Sequence, residues 1–155
     1  NKEVIWPTEA ASRQPQLLAA EKATHEARLR EFNSSKTVLD GQVKQRERDV
    51  SETAAKLTSG ENNLKLARER MTMSGDLLKD GLTSKLEHSQ VQSQLEELSG
   101  QVASLREARP RAKAAENEAR DRITELTQKF GRETQEQLVE VERRTELQAD
   151  RMEQT

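Results

Sequence analysis

The chain contains no cysteine, which excludes disulfides, thiolate catalysis and thiolate metal ligation. Aromatic residues make up only 2% of it and apolar residues 32%, against 35% charged. Burial returns roughly 25 cal/mol per Å² of apolar surface, and so few large side chains cannot enclose a globular interior against the entropy of chain ordering. They can still cover a narrow seam. No apolar run approaches the ~20 residues needed to cross a bilayer as a helix, and no signal peptide opens the chain. Charge of one sign is missing too: 26 Lys and Arg alternate with 28 Asp and Glu. Phosphate binding requires a basic surface, so nucleic acid is not an expected partner.

What is present is helix-forming: Ala, Glu, Lys, Leu, Arg and Gln dominate. Apolar residues recur on a heptad at Leu29, Val43, Val50, Leu57, Leu64, Met71 and Leu78, interrupted at Lys36. A second track runs through His25, Phe32, Leu39, Arg46, Thr53, Gly60, Ala67 and Ser74. Its later members are small or polar, so a partner helix is expected to approach closely from Thr53 to Ser74. A repeat kept over this many turns predicts a coiled coil.

The repeat stops at Lys79, Asp80, Gly81, Leu82, Thr83 and Ser84. Gly81 accepts positive φ, and Thr83 or Ser84 can cap a new helix, with Glu87 placed as in a capping box. The heptad then resumes through Val91, Leu95, Leu98, Val102, Leu105, Ala112, Ala119, Ile123, Leu126 and Phe130. It slips, as a stutter would, to Leu138, Val141, Thr145 and Met152. Arg109 and Glu116 fall on the seam, and Pro110 beside them predicts a kink.

The expected architecture is all-α: an antiparallel two-helix coiled-coil hairpin. Its parts are an extended entry (residues 1–12), an ascending helix (13–79), a tip turn (80–83) and a descending helix (84–153). Arms of this length reach roughly 100 Å at 1.5 Å per residue. Antiparallel pairing sets Leu64 near Leu98 to Val102 and Leu57 near Leu105. Val4, Ile5, Trp6 and Pro7 read as extended, Pro15 suits a first helical turn, and Trp6 is expected to pack against the hairpin base.

Catalytic chemistry is not expected. His25 and His88 lie in different arms, and the carboxylates alternate with Lys and Arg as on solvated faces. No phosphate loop or nucleophile elbow occurs. Catalytic, cofactor-binding and metal-binding residues are accordingly set at none, and the chain is read as no enzyme.

The tip sequence Leu77, Leu78, Lys79, Asp80, Gly81, Leu82, Thr83, Ser84, Lys85, flanked by long heptad helices, resembles the hairpin tip of periplasmic adaptor proteins, or membrane fusion proteins, of the HlyD family. Related adaptors carry an Arg, a Leu four residues on and a Ser seven beyond that. Leu77 and Ser84 keep the latter two, and Met73 stands where the Arg would be. Val4-Ile5-Trp6-Pro7 and Ala27-Arg28-Leu29-Arg30-Glu31-Phe32 are similar to the entry into the hairpin of type I secretion adaptors.

The resemblance implies a fragment of a larger protein of the bacterial periplasm, anchored in the inner membrane by a segment outside this stretch. It implies several partners: a TolC-like outer-membrane channel at the tip, an inner-membrane ABC transporter, further copies of itself in a six-membered ring, and an exported protein substrate. Met73, Leu77, Leu78, Gly81, Leu82 and Ser84 are then the candidate docking residues. For Leu78 and Leu82 the plainer role is an apolar plug closing the coiled coil, and for Ser84 a helix cap. The rival readings are a multidrug-efflux adaptor hairpin and a structural coiled coil running as a straight rod.

Overall fold

The structure, a computed structural model, describes residues 4–6 and 15–155. Two helices account for nearly all of them: α1 (Pro15–Lys79, 65 residues) and α2 (Lys85–Glu153, 69 residues). Among the described residues there is no strand. The helices pack against each other through the seam, so the expected all-α hairpin is the observed fold and the straight rod is not. Val4 to Trp6 carry no regular structure; the remainder of the expected entry, and Arg13 and Gln14 at the expected helix start, lie outside the described residues. The turn occupies 80–84 rather than 80–83, because Ser84 caps α2 and Lys85 opens it.

The chain divides into two compact units, Asn1–Gly41 with Arg120–Thr155, and Gln42–Ala119. In the second, Leu57, Leu64 and Val102 form the buried core, with Leu95, Leu98 and Leu105 packed on it. This is the pairing that the heptads predict. The small residues of the second track allow it: a Cβ at Gly60 would stand 3.2 Å from Val102 Cγ2 and 3.5 Å from Leu105 Cδ1. Ala67 and Ser74 continue the close approach and are buried. Ser74 Oγ hydrogen-bonds His88 Nδ1 at 2.9 Å, the last side-chain bridge between the arms before the turn.

Two polar seam assignments shift. Arg46 lies outside, paired with Asp49 at 3.7 Å, while Asp49 and Val50 take the half-buried positions. Arg109 is exposed because the contact passes one residue earlier, through half-buried Ala108, which brings no charge to desolvate. Glu116 is buried as expected, and its carboxylate receives a hydrogen bond from Lys113 Nζ at 2.9 Å. Pro110 does not break α2. It faces solvent, so water can satisfy the Arg106 carbonyl that loses its N–H donor.

In the first unit the rings gather. Phe32 stacks on Phe130 with centroids 4.5 Å apart, His25 lies 6.1 Å from Phe130, and Trp6 meets His25 edge-on at 5.7 Å. Trp6 thus packs on the helices as expected. The seam of α2 here runs through Ile123, Leu126, Phe130, Thr134, Gln137, Val141 and Thr145. That spacing of three, four and four residues is an eleven-residue repeat, the physical form of the predicted slip. Leu138 is half-buried beside it, whereas Met152 is 72% exposed and lies off the seam. Leu29 is also on the exposed side, where Lys36 already weakens its track.

The hairpin tip as candidate functional site

The tip is built by backbone hydrogen bonds that end α1 abruptly. Gly81 adopts φ +70°, its N–H donates to the Leu78 carbonyl at 3.1 Å, and the Leu82 N–H donates to the Leu77 carbonyl at 2.8 Å. This pair of nested bonds is the Schellman motif, and it requires a left-handed residue where Gly81 stands. Two residues later Ser84 starts the second helix: its Oγ accepts from the Glu87 N–H at 3.1 Å. Half of the predicted capping box is therefore present. The Glu87 carboxylate does not return to the Ser84 backbone but accepts from the Thr83 hydroxyl at 2.7 Å, which braces the turn from the other side.

Such a turn leaves too little protein to cover its apolar residues. Met73 is 56% exposed, Leu77 44%, Leu82 73% and Leu86 70%. Leu78 alone of the candidates faces inward, half-buried, and closes the seam. The plug role thus fits Leu78 and not Leu82, which stands outside. Met73 and Leu77 are one turn apart on α1 and share a face, whereas Ser84 is exposed with its hydroxyl engaged as a cap. Lys79, Asp80 and Lys85 are exposed around them. Arg70, one turn before Met73, lines an open groove of about 170 Å³ with Leu66, Ala67, Val91, Gln94 and Leu98.

Toward the tip, Leu66 and Leu86 are exposed apolar residues that the sequence reasoning missed. Leu66 precedes Met73 by seven residues, so the heptad could have placed both on one outward track. Leu86 sits in the first turn of α2, two residues before the inward His88, and that offset is its signal. The larger groove of the other unit, about 740 Å³, is lined by carboxylates, Arg28, Lys129 and Arg144 together with the Phe32 and Phe130 rings. Among the described residues no three His, Asp or Glu side chains group as metal ligands, and no helix is long and apolar enough to cross a membrane.

Two long helices returning on each other through a capped, apolar-tipped turn define the class of long α-helical hairpins. The family described as AprE, long α-helical hairpin, matches residues 1–155, and the chain belongs to it. This bears out the likeness to adaptor hairpins read from the tip and entry residues. No curated protein and no solved structure matches the chain.

Proposed function

We propose that this hairpin is the periplasm-spanning arm of a type I protein secretion adaptor that docks through its tip onto a TolC-like outer-membrane channel. One observation carries the reading: in a hairpin of an adaptor family, the large apolar residues left uncovered beside the turn are Met73, Leu77, Leu82 and Leu86. Apolar side chains held on a rigid turn, with Lys and Asp around them, suit a contact whose centre is desolvated and whose rim stays wet. Met73 replaces a charged group by a flexible thioether, so the contact at that position is packing rather than ion pairing. Gly81 shapes the turn, Leu78 supports it from within, and Ser84 fixes the start of α2.

The role is mechanical, and no catalytic step is assigned to it. The inner-membrane ABC transporter, the six-membered ring and the exported protein engage the whole adaptor, anchored in the inner membrane, while the hairpin supplies reach and the terminal contact. Leu77→Asp in the full-length adaptor is expected to abolish co-purification with the channel while helix content and Tm stay unchanged. Undiminished co-purification would refute the docking site.

A further inference from the structure

We propose that the face of α1 carrying Leu66, Arg70, Met73 and Leu77 seats an α-helix of the outer-membrane channel, laid along the hairpin as a third helix. The proposal rests on the docking reading above and extends the contact below the turn, on one side of the hairpin only. Leu66, Met73 and Leu77 each expose roughly half of their surface, and with exposed Arg70 they recur at intervals of four, three and four residues, which puts them on one face of α1. They span roughly 16 Å at 1.5 Å per residue. Traced away from the turn, the same face continues as Asn63, Ser59, Lys56 and Glu52. There it is polar and satisfies itself, with Lys56 Nζ paired to Glu52 Oε1 at 2.8 Å. The apolar surface thus begins at Leu66 and runs into the tip residues Met73 and Leu77, so one partner covers both.

The groove beside this face has the form that a helix fills. Its floor is Ala67, buried and ending at a methyl, with half-buried Val91 and Leu98 of α2, and Asn63 and Gln94 stand at its rim around an open volume of about 170 Å³. A hole bounded by the side chains of two coiled helices takes one apolar knob, and only another α-helix delivers successive knobs at the pitch of the Leu66–Leu77 stripe. Arg70 borders the same hole and forms no ion pair among the described residues. The matching helix therefore presents an apolar side chain to the hole and an acidic one to Arg70. The other edge of the hairpin offers no such seat. There Arg106 Nε donates to Glu61 Oε1 across the seam at 3.3 Å, and Lys65 and Arg68 continue the Glu61 face where the first edge has apolar residues.

The hairpin has no cysteine, so Leu66→Cys, Lys65→Cys and Leu82→Cys in the full-length adaptor each report on one exposed position. Maleimide labelling of the adaptor alone and with the purified channel, read on the hairpin peptides by mass spectrometry, tests the seat. Leu66→Cys is expected to react readily in the adaptor alone and to slow several-fold with the channel, as Leu82→Cys also does, while adjacent Lys65→Cys keeps its rate. Slowing at position 82 without position 66, or equal slowing at 65 and 66, would overturn the third-helix seat and leave docking at the turn in place. Protection of position 66 before the channel is added would assign this face to a second copy of the chain and overturn the seat as well. No slowing at 66 or 82 would refute the docking reading and the seat together. Arg70→Glu should reduce channel co-purification several-fold and Arg68→Glu, on the other face, should not; equal effects would overturn the acidic contact.

Discussion

Glycines 60 and 100 lie in helices where alanine would ordinarily gain about 1 kcal/mol, yet their surroundings are opposite. Nothing lies within 4 Å of a Cβ at Gly100, while one at Gly60 would press on Val102 Cγ2 at 3.2 Å. Val102 is buried and its χ1 is stiff, so little room can be made. Gly100→Ala should therefore stabilise by about 1 kcal/mol in chemical denaturation, and Gly60→Ala should fall well short of that. Equal gains would show that the helices do not approach closely at Gly60. Ser84 admits a comparable separation of roles: Ser84→Ala should cost about 1 kcal/mol through the lost cap, and Ser84→Asp should retain most of it. A channel contact that survives Ser84→Asp but fails in Ser84→Ala assigns the residue to shaping the tip rather than to touching the partner.

At the scale of elements, heptad phase identified what packs and was weakest where polar residues entered the seam. Leu57, Leu64, Val102 and Leu105 were legible because large apolar residues repeat every seven positions with little ambiguity. Arg46 and Arg109 were misplaced because phase alone sets a position on the seam, whereas the cost of desolvating a guanidinium hands the contact to a neighbour. Gln137 was not legible at all: a glutamine in the stutter looks like surface until Glu21 and Arg28 are seen across from it. The exposed ion pairs add little. A hydrogen bond from Lys56 holds the Glu52 carboxyl below its ordinary value, a contribution that is present at neutral pH, fades as pH falls through the carboxylate range, and is screened by salt. Pro110 is the costly residue of α2: it removes a hydrogen bond and crowds the preceding turn, at ~3 kcal/mol in a helix interior. Pro110→Ala should raise Tm, with a gain of up to about 3 kcal/mol by denaturation. An unchanged midpoint would mean that the helix accommodates proline there without loss.

For the molecule as a whole, the apolar poverty that excludes a globular core also makes the proposed docking surface stand out. A two-helix seam needs one apolar stripe per helix, and the described apolar residues beyond that need are few enough to be assigned singly. Some of them, Val38, Val139 and Leu147, are scattered along the arms, while Met73, Leu77, Leu82 and Leu86 fall within fourteen positions around the turn. The turn itself was legible from Asp80, Gly81 and Ser84, since left-handed glycine and a serine cap are local chemistry. Which leucines it exposes was not, because Leu78 and Leu82 differ in direction rather than in type. The docking claim rests on that direction. A photo-crosslinking amino acid placed at Leu82 of the full-length adaptor in cells tests it most directly, with exposed Val38 as the comparison site. The account predicts a covalent adduct with the outer-membrane channel from position 82 and none from position 38; channel adducts absent from position 82, or formed equally from both, would contradict it.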